Sequence, residues 1–257
     1  MAHLELSDDV LLTIVPIIAY WLFSGLYEIL GRFDRYRLHP KVEEDEKNIV
    51  SRGTVLKGMI RQQAIQIAVV VLTQRFINNN YKGREAEPQP SALAVTRQFL
   101  VAMLVEDAWQ YLGHRFLHSY SLLYKHIHST HHSVVAPYAY AALYKNPAEF
   151  FILDAVAGSL AFVVSGMTPR TGIYFFTFAT VKAVDVHSGL WLPWNPLRFL
   201  FGNNCAYHDV HHQLKGHKHN FSQPFFVAWD RIFGTHMDFS VVERRGGGFE
   251  VRLPKSN

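Results

Sequence analysis

Fifteen histidines occur among the 257 residues, and eight of them fall into three tight groups. GHRFLH carries His114 and His118 in an H-x-x-x-H spacing. HIHSTHH carries His128, His131 and His132 as H-x-x-H-H, and YHDVHH repeats that spacing with His208, His211 and His212. Residues three and four apart share a helix face, so each group can bring two or three imidazoles to one point. Neutral imidazole suits zinc, copper, iron and nickel. Eight ligands exceed what one tetrahedral zinc takes, and two metals side by side fit the number better. His187, in DVHSGLWLPW, is a ninth candidate. His3, His39, His126, His217, His219 and His236 lack the repeated spacing and are expected in surface or hydrogen-bonding roles. On a helix His126 would stand roughly 160–200° around from His128.

Carboxylates beside metal-bound imidazoles fix their tautomer by accepting the outer ring N–H. Asp107, two helical turns before His114, is a candidate for that role, as are Asp185 and Asp209. For Asp107 and its neighbour Glu106, a helix-end charge at a membrane interface is an equally good reading.

Other chemistries lack their residues. No H-E-x-x-H metalloprotease string, G-x-S-x-G elbow, or Rossmann or P-loop glycine fingerprint occurs. The single cysteine, Cys205, excludes an intrachain disulfide, a thiolate metal cage and a zinc deaminase site. Non-haem metal chemistry on a membrane-borne substrate remains. Oxygen activation at iron is the member of that set that demands both open metal positions and a dry pocket, with reducing power arriving from elsewhere.

The elements that must position these groups read as membrane helices. The chain is 49% hydrophobic and only 18% charged, below the ~25% charge of soluble domains. The net charge of +4 comes without a basic, aromatic-interleaved run, so no nucleic-acid partner is expected. Residues 10–31 have the length and composition of a span, and the acidic leader MAHLELSDD favours a retained anchor over a cleaved signal. Arg32, Arg35, Arg37 and Lys41 follow, with Lys47, Arg52 and Lys57, which places that loop in the cytosol. The acidic run EEDEK, residues 43–47, reads as solvated surface. A second span covers about 58–77, a polar turn 78–91, and a third helix 92–112. Residues 150–187 form a helical hairpin about the turn TPRTG, which returns the chain to the side it left. The expected fold is thus an all-α membrane protein: about four transmembrane or hairpin helices under a cytosolic, histidine-rich helical cap holding a di-metal site. Residues 1–94 would be anchor helices and a cytosolic loop, 95–240 the catalytic domain and 241–257 a polar tail with GGG at 246–248 in a loop, all in one structural unit.

GHRFLH, HIHSTHH and YHDVHH resemble the histidine boxes of the fatty acid hydroxylase/sterol desaturase superfamily of di-iron membrane enzymes, over about residues 95–235. Within it the sequence is most similar to plant sphingoid-base C4-hydroxylases, nearly end to end. YRLHPKVEEDEKN, SGMTPRT and NNCAYHDVHHQ followed by NFSQPFFVAWDRIFGT carry that likeness. The resemblance implies an endoplasmic reticulum enzyme that hydroxylates C4 of a sphinganine chain with dioxygen. Its electrons would come from NAD(P)H through cytochrome b5 and its reductase in trans, since no H-P-G-G haem motif is present. It implies two iron ions on His114, His118, His128, His131, His132, His187, His208, His211 and His212; zinc could also occupy an all-nitrogen site. Where the family reads N-H-P-x-E-G this chain has YKNPAEF, with Asn146 for the histidine and Phe150 for the glycine. Tyr138, Tyr140 and Tyr144, with Asn146 and Glu149, are candidates for the wall of a lipid channel. Three alternatives stand beside this reading: a very-long-chain aldehyde decarbonylase of the same superfamily, a membrane metal transporter or store, and a non-catalytic regulatory subunit. The oligomeric state is left open.

Overall fold

The computed structural model describes residues 7–80 and 90–254. His3 and most of the predicted turn 78–91 lie outside the described residues. Helix α1 (Asp8–Leu30) buries Thr13, Pro16, Tyr20, Ser24 and Tyr27 and exposes Ile18, Leu22, Phe23, Leu26 and Ile29. That is the reverse of a helix on a water-soluble core, where the apolar stripe faces inward. Lipid is the solvent in which such a surface is stable, and an apolar face this continuous is otherwise an aggregation site. Among the described residues, two helices are long and apolar enough to cross a membrane, α1 and the helical run Pro147–Ser165.

After α1, a short helix α2 (Lys41–Lys47) contains the acidic run predicted to be solvated. Glu44 departs from that expectation. It is 2% exposed and is ion-paired with Arg37 and Arg52, which also engages Glu28. A carboxylate facing two guanidinium groups can be buried because its charge is neutralised where it sits. Helix α3 (Arg52–Asn80) turns Gln62 and Gln63 inward and Ile60, Ile65 and Ile67 outward. Helix α4 (Ala92–Ser119), capped by Ser91 accepting from the Ala94 N–H, buries Gln98, Glu106, Asp107, Gln110, His114 and His118 and exposes Leu100, Leu104, Leu112 and Phe116.

The chain then passes a π-helical turn, Tyr124–His128, into the short helix α5 (Ser129–His132). Helix α6 (Pro147–Ser165) starts on an Asn146 cap with Pro147 at its first position and widens to π geometry over Phe150–Ala155. Gly166, at φ 65°, ends it. The predicted turn TPRTG is instead the first turn of helix α7 (Pro169–Val186): the Thr168 side chain caps the Thr171 N–H and Pro169 needs no donor. Helix α7 packs along α1, and α6 along α4. Short helices α8 (Pro196–Leu200), α9 (Cys205–His212) and α10 (Ala228–Ile232) complete the cap.

Residues 240–252 are more than a polar tail. Strands β1 (Ser240–Glu243) and β2 (Phe249–Arg252) pair antiparallel with Val241 opposite Val251. Val241, Phe249 and Val251 pack on Leu38, Cys205 and Ala206, so the hairpin buttresses the outer face of α9. The three glycines make the turn, all at positive φ.

Candidate metal centre

The nine predicted ligands converge, but not group by group. His114, His118, His128, His132 and His211 form one buried cluster, and His131, His187, His208 and His212 form another; within each, the ligand nitrogens lie within 4.8 Å of one another. Each H-x-x-H-H motif is therefore divided between clusters. His128 and His132 serve the first cluster while His131 serves the second; His208 and His212 serve the second while His211 serves the first. Helix geometry is the cause. Steps of three and four residues from a reference histidine land roughly 60° to one side and 40° to the other, so adjacent histidines splay apart. Two such helices face to face, α5 and α9, each contribute to both clusters. His114 and His118, one turn apart at the end of α4, complete the first. His187, the residue that ends α7, completes the second.

Five of the outward ring nitrogens are held by backbone. His114 Nδ1 donates to the Phe221 carbonyl at 2.8 Å, His211 Nδ1 to that of His219 at 2.7 Å, and His212 Nδ1 to that of Val134 at 2.8 Å. His131 Nδ1 donates to the Tyr144 carbonyl at 3.0 Å and His187 Nδ1 to that of Ala183 at 2.9 Å. His128 Nδ1 sits 2.9 Å from Glu149 Oε1, both side chains being 1% exposed. A nitrogen facing a carbonyl or carboxylate must carry the ring proton, which leaves Nε2 with a bare lone pair.

Those bare Nε2 atoms point at each other. His114 and His128 approach to 3.0 Å in the first cluster, and His131 and His187 to 3.3 Å in the second. Neither member of either pair has a proton to share, so each contact is repulsive unless a cation accepts both lone pairs. His211 Nε2 is buried with no hydrogen-bond partner at all. Burial keeps these rings uncharged: it holds His131, His132, His208 and His212 well below the ordinary imidazole value, with neighbouring imidazoles adding to the effect, and takes His211 down to about 3. Neutral, preoriented, all-nitrogen donors in a water-excluded cage fit metal ions.

Beside the second cluster lies a cavity of about 750 Å³, within the ~300–1,000 Å³ range of small-molecule sites. His187 is the cluster imidazole among its lining residues. Leu12, Pro16, Phe151, Phe162, Val163 and Phe176 make the walls apolar, while Glu106, Gln110, Lys145 and Asp154 line one polar side.

The fatty acid hydroxylase family profile matches residues 99–235, a stretch that includes every histidine of both clusters. This chain belongs to the fatty acid hydroxylase family. Sphinganine C4-monooxygenase 2 of Arabidopsis thaliana is 52% identical, covering 98% of this chain and 97% of that protein. A very-long-chain aldehyde decarbonylase of Oryza sativa subsp. indica is 50% identical, covering 96% and 95%. A sphingolipid C4-hydroxylase of Saccharomyces cerevisiae is 40% identical, covering 90% and 73%. No solved structure matches the chain.

Other residues singled out in this hydroxylase-family sequence take different places. None of the three aspartates reaches a cluster ring. Asp107 accepts the backbone N–H groups of Phe225 and Phe226 at 3.0 and 2.6 Å. Asp185 accepts from the Tyr27 hydroxyl at 2.7 Å and from Asn195. Asp209 faces away from the clusters and meets His39 Nε2 at 2.7 Å. Proximity in sequence to a ligand is a poor guide here, because adjacent residues on a helix point ~100° apart. Glu149, expected in a channel wall, stands behind His128 instead. Tyr138, Tyr140 and Tyr144 belong to the packing between α1, α3 and the loop before α6, and none lines the cavity. Asn146 works as a helix cap and donates to the His126 carbonyl at 3.3 Å; His126 itself is exposed. The backbone carbonyls that orient the rings carry no sequence signal. The polar cavity wall had one, since Glu106, Gln110 and His114 repeat at four-residue spacing on α4.

Proposed function

We propose that this protein is a membrane-bound di-iron monooxygenase that hydroxylates C4 of a sphingoid long-chain base. The observation that carries the reading is the pair of buried imidazole clusters whose bare nitrogens face each other, in a chain similar over nearly its full length to a sphinganine C4-monooxygenase. The nine histidines would hold two iron ions, which when bound supply the activation of dioxygen. The reaction consumes R–H, O₂, two electrons and two protons and yields R–OH and water. The electrons come from NAD(P)H through cytochrome b5 and its reductase, in trans.

This chain's own residues then have three tasks. The carbonyls of Phe221, His219, Val134, Tyr144 and Ala183, with Glu149, orient six of the nine rings so that their lone pairs point inward. The apolar walls of the cavity take the hydrocarbon chain and exclude water from the reacting carbon. His187, shared by cavity and cluster, marks where that carbon is presented. In the membrane, α1, α3, α4 and the α6–α7 hairpin form the buried body, which supports about four crossing or hairpin elements in the endoplasmic reticulum with the clusters on the cytosolic side. Residues 1–94 then act as anchor and 95–240 as catalytic domain.

The likeness to an aldehyde decarbonylase keeps one second reading, deformylation of very-long-chain aldehydes. Expression in cells lacking C4-hydroxylation, followed by lipid mass spectrometry, separates the two. Trihydroxy bases support the hydroxylase. Alkanes from supplied aldehydes, with no trihydroxy base, overturn it.

A further inference from the structure

The polar side of the cavity is unevenly paired. Lys145, the cation among the described lining residues, is engaged by Asp154, with Nζ 3.0 Å from Oδ2. Glu106 has no such partner. It is 7% exposed, its Oε1 meets only Gln110 Nε2 at 3.4 Å, and its Oε2 has no hydrogen-bond partner. A carboxylate buried in an apolar cavity without a cation is costly, and inside a membrane helix such a group marks a functional site by default. A cation that enters the cavity attached to an apolar body would satisfy it.

Resting on the hydroxylase reading above, we propose that Glu106 is the subsite for the ammonium group of the substrate, so that the enzyme takes the free long-chain amine and not its N-acylated form. A sphingoid base carries its amine on C2, three bonds from C4, and hydroxyls on C1 and C3. Glu106 and His187 line the same cavity, whose volume of about 750 Å³ equals that of a sphere about 11 Å across. A reactive approach of ~3–3.5 Å, three bonds and a hydrogen bond of ~2.9 Å together span roughly 10 Å. An ammonium on Glu106 and a C4 presented beside His187 therefore fit within that one cavity. Gln110, Lys145 and Asp154, on the same wall, offer donors and acceptors to the hydroxyls. An N-acylated base has no positive charge to give Glu106 and carries a second chain.

The test uses the full chain in membranes of cells lacking C4-hydroxylation, with sphinganine and N-acetylsphinganine as substrates and metal content measured on purified protein. Glu106→Gln is expected to raise KM for sphinganine about tenfold to a hundredfold, with kcat and metal content nearly unchanged, while KM for N-acetylsphinganine moves less than about twofold. Glu106→Asp should restore part of the sphinganine KM. An unchanged sphinganine KM, or equal losses on both substrates, overturns the subsite. Should the glutamine variant lose its metal, the wild-type protein decides: a KM for sphinganine at least about tenfold lower than for N-acetylsphinganine supports the subsite, and equal values overturn it. A wild-type protein that converts neither base refutes the hydroxylase reading itself, and the subsite with it.

Discussion

His131 and His132 are neighbours in sequence but belong to different clusters, and that separation can be tested by counting metal. Removing the His131 imidazole leaves the second cluster three nitrogens and the first cluster its five. Taking ~10–16 kcal/mol for a four-ligand site, each ligand averages roughly 3–4 kcal/mol, a loss of two to three orders of magnitude in affinity. The fold should survive, since the other local loss is one hydrogen bond to the Tyr144 carbonyl, about 1–3 kcal/mol. His131→Ala is thus expected to purify with about one metal per chain instead of two. Combined variants distinguish the clusters. His131→Ala/His187→Ala strips the second cluster twice and should still hold one metal; His118→Ala/His131→Ala/His132→Ala leaves three nitrogens in each cluster and should hold none. Mass spectrometry of metals in detergent-purified protein reads the ratio, and lipid analysis should find all of these variants inactive. Two metals retained by His131→Ala/His187→Ala, or identical stoichiometry in the double and the triple variant, would refute the division.

Four further outcomes follow from contacts around the clusters. Glu149→Gln removes the charge behind His128 and should weaken metal retention about 10–100-fold in chelator competition; unchanged retention would mean the carboxylate is idle. Asp107→Ala strands the buried N–H groups of Phe225 and Phe226 and should destabilise the protein by about 2–5 kcal/mol, seen as a fall in thermal midpoint that Asp107→Asn partly reverses. His39 has a raised pKa because the Asp209 carboxylate outweighs the opposing effect of burial. Its folded state therefore binds the proton more tightly, and the stabilisation it gives is complete below about pH 6.5 and lost as pH rises through its raised value. The destabilisation caused by His39→Ala should accordingly be larger at pH 6 than at pH 9, and a gap that widens with pH would contradict the sign. Asn220 lies in an N-F-S sequence, yet it is fully buried and holds the Met237 N–H and the Tyr207 carbonyl. No glycosidase-sensitive mass shift is expected there, and finding one would reverse the cytosolic placement of the cap.

The histidines that gather into the two clusters were legible in the chain because a metal-ligating pattern needs a particular side chain at a particular spacing, and both are sequence properties. The helices were legible for the same reason: α1 and α6 announce themselves as apolar runs of membrane length. Other features depended on direction and partner, which one-dimensional spacing does not contain. Asp107, Asp185 and Asp209 sit beside ligands in sequence and serve other groups in space, while Glu149, seventeen residues from His132 in sequence, stands behind His128. Glu44 was hidden in an acidic run because burial of its charge required Arg37 and Arg52 to arrive from either side.

By itself the sequence determined that this protein gathers imidazoles at the ends of membrane helices, since the number and period of histidines and apolar residues leave little else for the chain to do. Only the tertiary structure decided how those imidazoles are shared. Which ring joins which cluster depends on α5 and α9 meeting face to face, and which nitrogen is left bare depends on backbone carbonyls from loops far along the chain. The physical reason is that a helix fixes the angle between its own side chains, whereas a shared centre needs the relative placement of several helices.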